Sequence, residues 1–359
     1  SFIQELLARI DIVDVIERYL PLKKGGANYV ACCPFHSEKT PSFSVSPAKQ
    51  FYHCFGCGAH GSAIGFVMEY TGSGFVDAVQ DLASHAGMQV PLDRAASGPP
   101  KTDRTPLTEV MARAASYYKD RLKATPRAID YLKERGLTGE IAARFGLGYA
   151  PDGWQNLAAA FSDYRSGALV ECGLVIEGEA GRRYDRFRDR IMFPILDARS
   201  NVIGFGGRVI GAGEPKYLNS PETPLFEKGR ELYGLPQARM AIRAADSVIV
   251  VEGYMDVVAL AQHDVGNSVA TLGTATTPVH VQKLLRQAGR VVFCFDGDNA
   301  GRKAALRALD ATLEHLPDGK SAAFLFLPPE HDPDSYMRAH GAEAFHRLAA
   351  EAAPLAAVL

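Results

Sequence analysis

The spacing of hydrophobic residues predicts helices near the start of the chain and again after residue 106. A periodicity of three to four residues, typical of one helical face, predicts a helix over 3–19. The same spacing predicts two helices within 63–86, with a break near the glycines at 72 and 74. The apolar positions of the first helix are Leu6, Leu7, Ile10, Val13 and Ile16, and two later helices are predicted over 107–123 and 126–135.

Shorter apolar segments predict strands of two kinds. Residues 42–45 and 50–53 alternate in polarity, as half-buried strands do. Residues 248–251 and 291–295 are continuously apolar, which is typical of parallel strands buried on both faces. Strands alternating with helices predict a doubly wound α/β domain, in which ligands bind at the carboxyl ends of the strands. Further strands are predicted over 191–196, 201–205, 268–272 and 322–327, and a further helix over 278–287.

Length and composition predict a multidomain globular protein that is not exported. The chain has 359 residues, 47% hydrophobic and 22% charged, with a net charge of −2. We find no apolar run near the ~20 residues of a membrane span and no secretory signal, so we expect a cytoplasmic protein with no membrane partner. Residues 94–106 include a small, polar, Pro- and Gly-rich stretch that predicts a flexible linker. The chain begins without Met, which indicates a fragment.

Four of the six cysteines lie in one stretch, and their spacing predicts a metal site. Cys33 and His36 form a C-x2-H pair, Cys54 and Cys57 form a C-x2-C pair, and residues 37–53 separate the two pairs. Two such pairs joined by a hairpin are typical of a structural zinc ribbon with tetrahedral coordination. Cys32 lacks the required spacing. The alternative interpretation is redox-active or simply packed thiols.

The zinc segment also carries aromatic and basic residues. Rings that stack on bases, beside cations that meet phosphates, suit single-stranded nucleic acid. The alternative is that the rings form the core of a small domain. The candidates for binding a single strand are Lys39, Lys49, Phe51, Tyr52 and Phe55.

Residues 182–230 are basic, with ten Lys or Arg against six acids. Arg186, Arg188 and Arg190 alternate before an apolar run, and on a strand this spacing places all three guanidinium groups on one face. Arg208 follows two glycines and can face a phosphate. Lys216 lies in a polar loop. These side chains indicate a phosphate-binding surface, and the alternative is a solvated basic face.

Acidic residues follow the predicted buried strands. Glu252 comes after one strand, Asp296 and Asp298 after another, and Asp332 and Asp334 after a third. Clustered carboxylates repel one another and select hard cations such as Mg²⁺ or Mn²⁺, which stabilise charge in phosphoryl transfer. Asp298 alone could instead be a helix N-cap.

These motifs resemble a known family. Glu252-Gly253-Tyr254-Met255-Asp256, with the acidic pairs at 296–298 and 332–334, is similar to the TOPRIM fold of topoisomerases and primases. Together with the zinc ligands, they resemble the bacterial replicative DNA primases. Three basic motifs, at 186–190, 204–208 and 216–221, are similar to motifs of that family.

The resemblance implies an α/β multidomain fold: an N-terminal zinc ribbon flanked by helices, a mixed α+β basic subdomain, and a TOPRIM-type α/β domain with a parallel sheet. It implies these boundaries: a zinc-ribbon domain over 1–93, the linker over 94–106, the basic polymerase subdomain over 107–241, the TOPRIM subdomain over 242–345, and the start of a helical subdomain over 346–359.

The resemblance also implies synthesis of short RNA chains de novo on single-stranded DNA. Asp296 and Asp298 would bind catalytic Mg²⁺ or Mn²⁺, and Asp332 and Asp334 would complete the set. Asp256 would be a further ligand or would support the ligands, and Glu252 would be a ligand or a general acid/base. Phosphates of the nucleotide and the template would meet Arg186, Arg188, Arg208, Lys216, Asn219 and Lys228.

The expected partners are single-stranded DNA, ribonucleoside triphosphates and the RNA product. A replicative helicase is expected through a C-terminal domain that this chain lacks, and we expect a monomer. Three alternatives share some of the motifs: a type IA topoisomerase, a nuclease and a non-catalytic recombination mediator. A topoisomerase would need a nucleophilic Tyr in a further large domain, and a mediator would not need the full acidic set beside basic polymerase motifs.

Overall fold

The computed structural model describes residues 2–90 and 105–358. In the first of these parts, helices flank a five-stranded antiparallel sheet whose strand order follows the sequence. The elements are α1 (Phe2–Arg9), α2 (Ile12–Glu17), β1 (Lys23–Gly25), β2 (Asn28–Ala31), β3 (Phe43–Ser46), β4 (Phe51–Cys54), β5 (His60–Gly61), α3 (Ala63–Thr71) and α4 (Phe75–His85).

Local capping decides where these helices begin and end. The carboxylate of Asp11 accepts a hydrogen bond from the Val13 amide (2.7 Å), which begins α2. The prediction of one helix over 3–19 is therefore wrong, because the N-cap divides it into α1 and α2. The predicted break after α3 is confirmed, since Gly72 takes a left-handed conformation (φ 70°) that ends the helix.

The second region covers the basic segment. Its main sheet is antiparallel, in the order β11-β10-β9-β6, and β7 pairs with β8 in a separate hairpin. The predicted linker lies outside the described residues, apart from the two at its end that begin α5. The elements are α5 (Thr105–Lys123), α6 (Pro126–Glu134), α7 (Gly139–Arg144), β6 (Gly148–Ala150), α8 (Gly167–Glu171), β7 (Val175–Glu177), β8 (Arg183–Asp185), β9 (Arg190–Leu196), β10 (Val202–Val209) and β11 (Tyr217–Asn219), with 3₁₀ turns at Asn156–Ala159 and Glu179–Gly181.

The predicted alternation of three arginines along one strand is wrong. β8 ends at Asp185 and β9 begins at Arg190, so residues 186–189 connect two strands of different sheets. Asp189 has a left-handed backbone (φ 48°), which no strand residue adopts. The three guanidinium groups therefore enter separate environments.

The third region is the predicted α/β domain. β13, β12, β14 and β15 form a parallel sheet in that order, and β16 joins β15 antiparallel at one edge. The elements are α9 (Leu235–Ala245), β12 (Ser247–Val251), α10 (Tyr254–Gln262), β13 (Ser268–Ala270), α11 (Pro278–Gln287), β14 (Arg290–Phe295), α12 (Asn299–Leu313), β15 (Ser321–Phe326), α13 (Pro333–Ala350), β16 (Ala353–Pro354) and α14 (Leu355–Val358). None of the described helices combines the length and the apolar character needed to cross a bilayer.

The second and third regions share a hydrophobic core. One cluster of buried side chains runs from β9 and β10 into β12, β14 and α10. Tyr254 at the start of α10 stacks on Phe193 of β9, with ring centroids 5.5 Å apart. Its hydroxyl donates to the side-chain oxygen of Asn219 (2.7 Å), while the amide nitrogen of Asn219 donates to the Leu272 carbonyl (2.9 Å). The basic sheet is therefore fixed against the parallel sheet.

Arginines of the later regions contact the N-terminal region. Arg199 pairs with Asp81. Arg243 pairs with Glu69 (3.3 Å) and lies over the ring of Phe35 (4.3 Å). Because Arg243 is in the last turn of α9, just before β12 begins, these contacts lie at the edge of the parallel sheet where its strands start. A further pair joins Asp77 of α4 to Arg230 (2.9 Å), which precedes α9.

Candidate functional site

The structure brings the four predicted zinc ligands together. The Cys33 and Cys57 sulfurs are 3.8 Å apart, and the Cys54 sulfur is 3.7 Å from Nδ1 of His36. Ligand atoms of all four lie within 4.8 Å of one another. Ligands about 2.3 Å from a tetrahedral zinc ion lie about 3.8 Å apart, so the spacing fits. Cys32 is exposed and is not among the four.

Neighbouring side chains orient these ligands. Glu38 lies 3.2 Å from Nε2 of His36, which leaves Nδ1 to face the sulfurs. Glu38 also accepts hydrogen bonds from the amides of Cys33 (2.6 Å) and Ser42 (3.0 Å). Burial raises the pKa of the Cys33 thiol, so a thiolate there needs a compensating cation. The donor set therefore fits a structural zinc ion.

Every predicted carboxylate lies at or just beyond the carboxyl edge of the parallel sheet. Glu252 directly follows β12, and Asp296 directly follows β14. Asp298 precedes α12, and Asp332 precedes α13, which follows β15. The parallel order of β12, β14 and β15 brings these strand ends to one edge. The topology thus gathers acids that are up to 82 residues apart in sequence.

The carboxylates raise one another's pKa values. Partial burial and the charges of Asp296 and Asp298 raise the pKa of Glu252. Burial and the charges of Asp332 and Asp298 raise the pKa of Asp296. Such mutual repulsion shows a site with excess negative charge, which a divalent cation would relieve.

Asp256 and Asp334 form the inner part of this cluster. The pKa of Asp256 lies well above its ordinary value because of burial and the charges of Asp332, Asp296 and Asp334. Asp334 is buried, and burial raises its pKa although Arg338, 3.1 Å away, opposes the shift.

Two of the acids also begin helices. Asp298 accepts from the Gly301 amide (2.7 Å), and Asp332 accepts from the Ser335 amide (2.7 Å). The N-cap alternative for Asp298 is therefore confirmed, and it extends to Asp332. Each cap occupies one carboxylate oxygen and leaves the other free. Among the described residues, the zinc ligands are the set of three or more ligand atoms that all lie within 4.8 Å of one another. The carboxylate oxygens are therefore more widely spaced than the zinc ligands.

The predicted basic residues divide into buried and accessible groups. Arg208 is buried and hydrogen-bonds to the hydroxyl groups of Tyr131 and Tyr217. Burial lowers the pKa of Arg186, and its Nε donates to the Gly173 carbonyl (2.9 Å). Lys216 is exposed and Lys228 is partly exposed, so both amino groups can reach a ligand.

Arg188 belongs to a surface that the sequence did not predict. Its guanidinium lies 4.3 Å from the centroid of the Trp154 ring and 5.5 Å from that of Tyr184. Trp154, the only tryptophan of the chain, is 65% exposed. An exposed indole beside a cation offers a base-stacking surface. The signal was present in the sequence as a lone Trp in a Pro-Asp-Gly-Trp loop, 151–154.

The N-terminal candidates also divide by exposure. Phe55 is 77% exposed and Phe51 is 37% exposed, so both rings can stack on a base. Tyr52 is fully buried, and its hydroxyl donates to Glu69 (2.9 Å). Tyr52 is therefore part of the domain core and cannot stack on a base in this structure. Lys39 and Lys49 are exposed.

Three sequence families match successive parts of the chain. Residues 1–98 match the CHC2 zinc finger, residues 117–239 match the DNA primase catalytic core, N-terminal domain, and residues 246–319 match the Toprim domain. These matches agree with the predicted fold class.

Individual relatives give the same result. A DNA primase of Neisseria meningitidis is 60% identical over 351 residues, covering 96% of this chain and 59% of the relative. The chain thus spans about three fifths of that relative's length. The crystal structure of the zinc-binding and RNA polymerase domains of the Aquifex aeolicus primase is 37% identical with a TM-score of 0.65, covering 99% of this chain and 86% of that one.

A third relative includes DNA. The structure of the DnaG primase catalytic domain bound to ssDNA is 46% identical with a TM-score of 0.68, covering 71% of this chain and 84% of that one. The order of the matched families and the fold agree with these relatives. The chain therefore belongs to the DNA primase family of bacteria.

Proposed function

We propose that this chain makes RNA primers de novo on single-stranded DNA by metal-dependent nucleotidyl transfer. The observation that carries the proposal is the acidic cluster at the carboxyl edge of the parallel sheet, fixed against a basic antiparallel sheet. Phosphoryl transfer needs positioned cations and charge neutralisation more than it needs covalent chemistry. The names of the relatives support a primase, and the proposal concerns the part of the protein that this chain spans.

The carboxylates would hold the catalytic metal, Mg²⁺ or Mn²⁺, through Asp296 and Asp298, with Asp332, Asp334 and Asp256 completing the set. When bound, such ions stabilise the charge on the attacking 3′-oxygen, the transferred α-phosphate and the leaving pyrophosphate. The caps at Asp298 and Asp332 fix both side chains before any ligand arrives.

Glu252 lies at the same edge and remains accessible to solvent. Its raised pKa suits a group that ligates metal or accepts the proton of the attacking hydroxyl. Arg208, Lys216 and Lys228 would neutralise phosphates of the nucleotide. Arg208 already lies close enough to Asp334 to oppose the rise of that carboxyl pKa, so it faces the acidic edge.

The template would follow Arg188 and Trp154. A stacked indole and guanidinium bind a base without sequence preference, and neighbouring cations bind the backbone. On the zinc domain, Phe51 and Phe55 offer a second stacking surface, flanked by Lys39 and Lys49. The relative solved with ssDNA supports this assignment of ligand.

The proposed partners are single-stranded DNA, ribonucleoside triphosphates and the RNA product. A replicative helicase would engage the full-length protein through a further C-terminal domain, and the chain itself would act as a monomer in the bacterial cytoplasm. The DNA, the ribonucleotides and the RNA follow from the proposed reaction, whereas the helicase is proposed from the family resemblance alone.

RNA synthesis on unprimed single-stranded DNA, with Mg²⁺ or Mn²⁺, tests the proposal. We expect dinucleotides and longer products from the wild type and none from Asp296→Asn. A matched control is Asp310→Asn, an exposed aspartate on α12 about 18 Å along the helix from Asp298, which should retain full activity. Circular dichroism and DNA binding should be unchanged in both variants. Intact DNA binding without any product from the wild type would instead favour a non-catalytic mediator.

A further inference from the structure

The loop that carries Lys228 is held by helix α11. Thr277 Oγ1 donates to the Gly229 carbonyl (2.7 Å), and Lys283 Nζ donates to the Arg230 carbonyl (2.8 Å). The carbonyl of Lys228 itself lies 3.1 Å from Nε2 of His280. Three consecutive backbone carbonyls are therefore fixed by three side chains from the first two turns of one helix.

The hydrogen bonds of His280 determine which ring nitrogen carries the proton. The Thr277 amide donates to Nδ1 of His280 (3.3 Å), so Nδ1 is an acceptor without a proton. The proton of the neutral ring is then on Nε2, which donates it to the Lys228 carbonyl. His280 is fully buried, and burial together with the charge of Lys283 lowers the pKa of its imidazole to about 4. The ring is therefore neutral under physiological conditions.

Helix α11 begins at the same edge of the sheet as the acidic cluster. It follows β13, which is parallel to β12 and adjacent to it, so its first turn lies beyond the carboxyl ends of both strands. The Leu272 carbonyl, between β13 and α11, accepts the hydrogen bond from Asn219 of the basic sheet. The Lys228 loop is therefore held by the helix whose first turn lies beyond the carboxyl edge of the sheet.

The helix cap alone does not explain the Nε2 contact. Thr277 caps the helix by accepting from the His280 amide (3.1 Å), and Nδ1 completes the capping box. Neither bond involves Nε2. The contact with the Lys228 carbonyl is thus a separate function of the same ring.

We propose that His280 is a positioning residue, which fixes Lys228 toward the phosphates of the incoming nucleotide by donating from Nε2 to the Lys228 carbonyl. This inference rests on the proposed function, in which Lys228 neutralises nucleotide phosphate. It adds a buried residue of the parallel domain to the determinants of nucleotide binding.

Two substitutions separate the two nitrogens. In His280→Asn, the side-chain oxygen can replace Nδ1 as the acceptor of the cap, but no donor reaches Lys228. In His280→Gln, the amide nitrogen can replace Nε2 as the donor, while the cap loses its acceptor. We measure primer synthesis on unprimed single-stranded DNA against ribonucleotide concentration, with thermal melting of each variant.

The expected results differ for the two variants. Loss of one hydrogen bond should raise KM for ribonucleotides roughly 3- to 10-fold in His280→Asn, with a smaller change in kcat. The melting temperature of this variant should also fall, because Asn leaves space at a fully buried position. His280→Gln should melt at a lower temperature but keep the wild-type KM. In a Lys228→Ala background, His280→Asn should cause no further rise in KM.

Several results would overturn the inference. Equal KM values for both His280 variants, or KM changes that follow melting temperature alone, would leave only a structural role. A ¹⁵N NMR spectrum of the wild type that showed a proton on Nδ1 of His280 near neutral pH would remove its physical basis without any substitution.

If Lys228→Ala kept the wild-type KM, the inference about His280 would be wrong. The proposed function would still hold, because that variant would still make RNA. Failure of the wild type to make RNA would refute the proposed function itself, and the inference with it.

Discussion

Replacing Asp256 with Asn should stabilise the protein in the absence of divalent cations while removing its proposed activity. The Asp256 carboxylate is held near three other acids and accepts a hydrogen bond from the Asp334 amide. An Asn side chain can still accept that bond but carries no charge. The substitution therefore removes repulsion and little else.

The size of the effect follows from Coulomb's law. A like charge about 7 Å away costs about 2 kcal/mol at an effective dielectric constant of about 20. Water and salt reduce this repulsion, so we expect the free energy of unfolding to rise by about 1–2 kcal/mol, or roughly 2–6 °C in Tm. A gain of this size at a proposed metal ligand would be an exchange of stability for function.

The pH dependence has a definite sign. Because folding raises the pKa of Asp256, the native state binds its proton more tightly than the unfolded state does. The stability of the wild type should therefore fall as pH rises from the ordinary carboxyl range, about 4, through the raised pKa. The difference in Tm between Asp256→Asn and the wild type should be largest near pH 8 and should shrink toward pH 5.

Calorimetry in divalent-free buffer, with zinc retained by the protein, measures this difference. Added Mg²⁺ should stabilise the wild type more than Asp256→Asn, because only the wild type has the full ligand set. Asp310→Asn is the matched control and should show neither effect. A variant that melts below the wild type at pH 8, or a difference in Tm independent of pH, would refute the reasoning.

Three further predictions concern other parts of the chain. In a colorimetric zinc assay, the wild type and Cys32→Ser should each contain about one zinc ion per chain, and Cys57→Ser should have lost most of it. Equal zinc contents in the two variants would contradict the ligand set. Arg188→Ala should weaken binding to single-stranded DNA and reduce the slope of log K against log salt by about one. Arg186→Ala should mainly lower Tm, because the Arg186 guanidinium donates to a backbone carbonyl. The opposite pattern would reverse the roles of the two arginines. Gly206→Ala should cost about 1–3 kcal/mol of stability by calorimetry, because a Cβ would overlap the tyrosine ring at the start of α10; a wild-type Tm would show that this ring can move aside.

The sequence predicted elements wherever local periodicity and tertiary burial agreed. The bounds of α11 match the predicted 278–287, and the parallel strands differ from their predicted bounds by one or two residues. Buried parallel strands are recognisable because both faces must be apolar. The zinc ligands were equally clear, because a knuckle requires its two ligands at a fixed spacing.

Long-range contacts account for what the sequence did not predict. Arg186 and Arg188 look equivalent in sequence, yet one supports the Gly173 carbonyl and the other stacks on Trp154. The left-handed backbone at Asp189 separates them from β9. Asp189 also pairs with Arg127, 62 residues away, through two hydrogen bonds of 2.9 and 3.0 Å. No local sequence pattern predicts a partner that is 62 residues away in the chain.

The two halves of the proposed centre are joined by packing, whereas the zinc domain is joined to them by charge. Tyr254 lies against Gly206 of the basic sheet and donates to Asn219, so the basic sheet is fixed against the start of α10 before any ligand binds. The zinc domain instead meets the rest through arginines that pair with acids or lie over rings, such as Arg243 with Glu69 (3.3 Å) and Arg239 with Tyr70 (3.9 Å). Salt weakens such pairs but leaves a buried core unchanged. High ionic strength should therefore weaken the docking of the zinc domain without altering the geometry of the acidic edge.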